Sequence, residues 1–361
     1  MNRWNVQFTQ LVRGSLPGYW GNWSLGRDIA PGAVGSIDPE TGSFRLASER
    51  LPGMTDAHLV RRNASSDWNM MTSHVTRREA AVDLDGSAVD PDTGTKVSAG
   101  LQVSWTFGRA GEMVSQCALE SSVTLAGADA LLQQDLDWLV ERAAMSGMGS
   151  SRGISQGFGV VTQVLYARSG LNVGSLSEDN TFSLTGTASG VNKLLGEAKG
   201  KGSFTSSSSS KSVDKHLWPS EAGALPGEPV PLAFAFASFD GRLLLPSWIT
   251  HIGAYQLILR NNNWGTYVVK AELSYDTPRG RQKRNTSVSG GLVASFGDIP
   301  LDASNIDLAL EFVSIGANER RTFHWDSPRG QWLNGIRHID LFGTWPGPTR
   351  AVDVEAGIAL E

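Results

Sequence analysis

The chain has 361 residues, enough for about two domains. Its net charge of −5 and pI near 5.7 exclude bulk attraction to nucleic acid or to an anionic membrane, so such binding needs a local basic patch. The single cysteine, Cys117, excludes an intramolecular disulfide, and no apolar run reaches the roughly 18–20 residues of a spanning helix, which leaves a β-barrel as the route across a bilayer.

The N-terminus, MNRWNVQFTQLVRGS, has no apolar stretch of signal-peptide length. A reducing, cytoplasmic compartment is therefore expected for the soluble form, with secretion left open. Trp4, Phe8, Leu11 and Val12 recur at helical spacing, and Arg3, Trp4 and Phe8 are candidates for membrane contact. Asp38-Pro39-Glu40-Thr41-Gly42 is turn chemistry: proline presets one dihedral and glycine closes the turn. Its flanks, 33–37 and 43–46, predict a hairpin. A similar turn recurs at Asp90-Pro91-Asp92-Thr93-Gly94. The basic pairs Arg61-Arg62 and Arg77-Arg78 read as solvated surface.

From Thr95 to Phe107 the alternation is strict. Val97, Ala99, Leu101, Val103, Trp105 and Phe107 take one parity, and polar or small residues take the other. The segment 108–111 supplies a turn, and Met113, Cys117, Leu119, Val123 and Leu125 share a parity on the return, interrupted by Ser115 and Ser121. A long antiparallel hairpin over 95–125 is expected. Two environments ask for this pattern. One is a soluble sheet with its apolar face on a core. The other is a barrel strand, lipid on one side and water on the other.

Residues 127–145 carry Leu131, Leu132, Leu136, Leu139, Val140 and Ala143 at helical spacing, with Asp129 as N-cap. Gly147, Gly149 and Gly153 end the helix without making a phosphate loop. Strands are expected at 157–166, 171–176 and 180–185. Residues 186–213 are small, polar and weakly basic, with Lys193, Lys199, Lys201 and Phe204 among them. They read either as a linker or as a polar hairpin in waiting. The stretch 219–231 breaks structure, and 232–239 resumes as a strand. Beyond Pro246, strands at 254–259, 267–275, 287–296, 306–313, 321–325 and 336–342 predict a β-sandwich. The expected domains are 1–246 and 247–361.

No enzyme, cofactor or metal is expected. The six histidines are scattered, and no metal-binding His pair is present. Cys117 on a strand reads as a packed residue. Asp298, Asp302 and Asp307 read as solvated turn carboxylates, against a calcium site. His324, Trp325, Trp332 and Trp345 with Arg320, Arg321 and Arg337 read mainly as domain core, against a sugar or headgroup site.

The order of elements over residues 84–240 resembles the pore-forming domain of the gasdermin family. Lys96-Val97-Ser98-Ala99 is similar to that family's strand opening, Phe158 to Leu165 (FGVVTQVL) to its central strand with Gln163 in place of glutamate, and Gly196 to Gly200 (GEAKG) to its Gly-Glu-Gly segment. The C-terminal half departs from the helical inhibitory domain of animal gasdermins. The resemblance implies an α+β N-terminal domain with a twisted antiparallel sheet and few helices, here followed by an all-β sandwich. It implies a pore-forming protein that binds membrane lipids, assembles as a homo-oligomer and inserts β-hairpins, with an activating protease as a partner and no nucleic acid. Such a protein is cytoplasmic when soluble and membrane-bound after activation. On this expectation hairpin 1 presents Val97, Leu101, Val103, Trp105, Phe107, Leu119 and Val123. Hairpin 2 presents Lys193, Lys199, Lys201 and Phe204. The alternative is a non-enzymatic lipid-, glycan- or protein-binding module that never inserts.

Overall fold

The computed structural model describes residues 3–64, 68–84, 99–195, 204–208, 211–219, 228–262, 268–313, 318–343 and 347–360. The chain is mostly β and divides into two compact units, Met1–Arg242 and Leu243–Glu361.

In the first unit the order is α1 (Arg3–Arg13), β1 (Tyr19–Gly21), β2 (Val34–Asp38), β3 (Ser43–Ser48), β4 (Leu59–Asn63), β5 (Trp68–Met71), β6 (Val75–Asp83), β7 (Ala99–Phe107) and β8 (Met113–Leu125). There follow α2 (Ala128–Gln134), α3 (Leu136–Met145), β9 (Gly149–Ser150), β10 (Gly153–Ile154), β11 (Phe158–Ser175), β12 (Asn180–Gly186), α4 (Ala188–Leu194), β13 (Phe204–Ser208), β14 (Val213–Trp218) and β15 (Val230–Asp240). Strand β11 is the axis of the large sheet. It pairs antiparallel with β2, β15, β8 and β14 in turn along its length. The two strands expected at 157–166 and 171–176 are thus one. Gly170 lets β8 approach closely, because a Cβ there would lie 2.5 Å from the Cys117 Sγ.

The hairpin expected at Asp38–Gly42 forms, with β2 paired to β3 and Gly42 at φ +65°. The hairpin expected over 95–125 does not. Strand β7 pairs with β6 and β12, whereas β8 pairs with β4, β5 and β11. The chain passes between the two sheets at Gly111 (φ +87°), whose N–H donates to the Ser175 carbonyl at 2.7 Å. The parity break at Ser115 has a physical cause. Residues Met113 to Ala118 are all buried, so this part of β8 has no water-facing side. Ser115 Oγ accepts from Trp68 Nε1 at 2.9 Å and donates to Asn172 Oδ1 at 2.7 Å.

The helix expected over 127–145 is broken at Asp135, a buried carboxylate that accepts the Gly53 N–H at 2.8 Å. Its N-cap is Gly127 (φ +64°), with Asp129 in the first turn. Helix α1 forms as its spacing predicts, but it turns Trp4 and Phe8 inward. Trp4 stacks on Trp23 with centroids 5.5 Å apart and lies on Gly174, where a Cβ would come within 2.6 Å of the ring. Phe8 is wholly buried. In this state neither is a membrane contact, because a helix with one apolar stripe buries it wherever a sheet accepts it.

The second unit comprises β16 (Leu243–Leu245), β17 (Tyr255–Asn261), β18 (Val268–Thr277), β19 (Gly280–Ser289), β20 (Val293–Ile299), β21 (Ser304–Val313), β22 (Glu319–Trp325), β23 (Ile336–Gly343), β24 (Thr349–Asp353) and β25 (Ile358–Leu360). A five-stranded sheet, β20-β17-β23-β24-β25, and a four-stranded sheet, β19-β18-β21-β22, share one core. The expected strand 287–296 is two strands, reversed at Gly291 (φ +73°). Trp325 and Trp332 are core residues. Arg337 is buried and pairs with Asp353 at 2.7 Å. Asp307 pairs with Arg281 and His324, and among the described residues no group of histidines, cysteines or carboxylates is arranged to hold a metal ion.

Candidate membrane-inserting sheet

Strands β6, β7, β12 and β13 form a separate four-stranded antiparallel sheet in the order β13-β12-β7-β6. Its register places Phe182 opposite Trp105 and Leu184 opposite Val103. Residues directly opposite share a face, so Leu101, Val103, Trp105, Phe107, Phe182 and Leu184 make one apolar surface across the two central strands. The other surface carries Gln102, Ser104, Thr106, Thr181, Ser183 and Thr185, continued by Thr205 and Ser207 on β13. Thr106 and Thr181 approach to 3.3 Å through their hydroxyls. Edge strand β6 is mixed. Val75 and Ala81 stand on the apolar side, but so do Arg77 and Glu79, which pair with each other at 2.6 Å.

The apolar surface is covered. Val191 and Leu194 of α4, with Leu195 just after it, pack on it together with Val114, Leu171 and Val173 from β8 and β11. A short helix is a weak cover, since isolated helices of this length are unstable in water and hold only by packing. At the foot of the sheet, where β7 leads into β8, His74 Nδ1 lies 2.9 Å from Glu112 Oε1. The Glu112 carboxyl sits below the usual glutamate value. Desolvation alone would raise it, but hydrogen bonds with Thr72 and His74 outweigh that. Lys215 of β14 donates to Ser206 Oγ at 3.0 Å and rests 5.9 Å from the Phe182 ring centroid.

The sequence-expected residues separate on this frame. Val103, Trp105 and Phe107 are buried on the apolar face, and Leu101 is half-buried at its rim. Leu119 and Val123 are not on this sheet; they lie on β8, paired with β11 in the large sheet. Val97, Lys199 and Lys201 lie outside the described residues. Lys193 falls in α4, where a polar hairpin was one expectation, and Phe204 opens β13 opposite Gly186. Arg3 begins α1. Sequence reasoning missed β6 as the partner of β7, and Phe182 and Leu184 as members of the apolar face. The alternation Phe182-Ser183-Leu184-Thr185 was a signal for the latter.

No protein-family model matches the chain, and no curated protein matches it in sequence. Among solved structures it is similar to a Gram-negative toxin at 10% identity and a TM-score of 0.21, covering 89% of this chain and 84% of that one. It is also similar to the human-specific toxin intermedilysin at 9% identity and a TM-score of 0.20, covering 77% and 68%.

Proposed function

We propose that this chain is a gasdermin-like pore-forming protein, cytoplasmic until activated by a protease, which then binds lipid, assembles into a ring and adds the small sheet of each protomer to a shared barrel. The observation that carries the reading is the division of β7 and β12 into one apolar and one hydroxyl-bearing face. In a barrel those faces meet lipid and water respectively, and neighbouring strands satisfy the backbone. Strands β6 and β7, at nine residues each, match the roughly 9–11 residues of a spanning β-strand. Strands β12 and β13, at seven and five, reach that length only if pairing continues past Gly186, with α4 giving up its helix. The work is a conformational change with no covalent step.

A second reading keeps the sheet in place and gives binding to the C-terminal unit. It is favoured by a trough of about 410 Å³ over Ala309, rimmed by Lys270, Glu272, Asn285, Glu311, Arg320 and Thr322. Dye release from liposomes separates the two. The full chain and residues 1–242 are tested side by side, followed by imaging for rings. Release with rings is expected, faster for 1–242 if the C-terminal unit restrains the first. A protein that binds vesicles and leaves the dye inside is a binder.

A further inference from the structure

The apolar face of the small sheet is graded along its strands. Away from the connecting segments 84–98 and 187–203 stand Phe107, Trp105 and Phe182; toward them stand Val103, Leu184 and Leu101. Trp105 and Phe182 meet across the β7–β12 pair with ring centroids 5.8 Å apart. Trp105 is wholly buried, and its Nε1–H has no acceptor among the described residues. A dry core disfavours such a group, and phenylalanine would fill most of the same space without it. Tryptophan suits a different place, where the ring meets hydrocarbon and the N–H meets water or ester carbonyls. Barrel strands carry aromatic girdles at that level, flanking an aliphatic band. Arg77, directly opposite Trp105 on β6, stands at the same height, from which a long basic side chain reaches headgroups.

We infer that Trp105, Phe107 and Phe182 form an aromatic girdle that docks at the ester-carbonyl level of the entered leaflet and sets how far the sheet inserts, with the Trp105 N–H bonded to phospholipid carbonyls. The inference rests on the membrane-permeabilising function proposed above. Trp218 and Trp332 also have buried N–H groups without an acceptor among the described residues, but neither lies on this sheet. Trp332 in the other unit therefore serves as a control.

The test uses the full chain on phosphatidylcholine–phosphatidylglycerol vesicles whose lipids carry a nitroxide near the headgroup or at the chain end. Tryptophan quenching is measured for the wild type and for Trp105→Phe, and the part lost with the substitution belongs to Trp105. It should come mainly from the headgroup-side label. Trp105→Phe should melt no lower than wild type and release dye about fivefold more slowly, the loss of one hydrogen bond per protomer. Trp332→Phe should release at the wild-type rate. If Trp105→Phe fails to fold, Trp105→Tyr takes its place in the quenching difference. Dye release without quenching of Trp105 by either label overturns the girdle and leaves permeabilisation standing. So does equal slowing by Trp105→Phe and Trp332→Phe, or no slowing by either. No release by the wild-type chain, whether intact or cleaved by a protease, removes the pore reading and the girdle with it.

Discussion

Cys117 lies against Gly170 in the large sheet, and burial pushes its thiol up to about 12. A thiol held protonated is a poor nucleophile. Folded protein is therefore expected to resist iodoacetamide at about pH 8 and to react only when unfolded. Rapid labelling of the native chain would contradict the packing of β8 on β11. The sequence already suggested a packed cysteine, because a strand with apolar neighbours is where free cysteines are common. It did not reveal Ser115. A serine that breaks an alternating pattern looks like a surface residue, yet this one bridges Trp68 and Asn172 in the interior. Which buried polar side chains find each other depends on strands distant in sequence.

The elements differ in how far local chemistry specifies them. The β2–β3 hairpin was legible because its turn residues dictate the reversal. The alternation of β7 was legible as a face but silent about its partner, since a strand's period of two says nothing of which strand lies beside it. Hence the pairing with β6 and β12 was missed and a pairing with β8 expected. Two results are expected at this scale. Leu101→Arg should fold, because Leu101 is only half-buried, and should abolish dye release, since arginine on a barrel's lipid face costs about 2–4 kcal/mol per protomer at the bilayer midplane. A folded variant, checked by circular dichroism, that releases dye normally would remove β7 from the lipid face. The second concerns the foot of the sheet. Glu112 is held below the usual glutamate value, so its contribution to stability is present at neutral pH and is lost as pH falls through its lowered folded value. The melting temperature should begin to drop below about pH 4.5, and Glu112→Gln should flatten that part of the curve. An unchanged profile in the variant would mean the His74–Glu112 contact does not hold the foot.

At the scale of the whole molecule, the sandwich was legible from strand spacing and turn residues beyond Pro246, and its two sheets close over a core of their own. Residues 243–361 expressed alone should therefore unfold cooperatively in urea; a gradual, non-cooperative transition would show that the unit depends on the first. The central claim is that β7 crosses a bilayer with one face to lipid. It is tested most directly by placing an environment-sensitive fluorophore on single cysteines at Leu101, Gln102, Val103 and Ser104, with buried Cys117 left unlabelled. Quenching by nitroxide-labelled lipid is then measured on leaking vesicles. Strong quenching at 101 and 103 and weak quenching at 102 and 104 is the expected result. Vesicles that leak with no lipid quenching at any of the four positions would contradict the account.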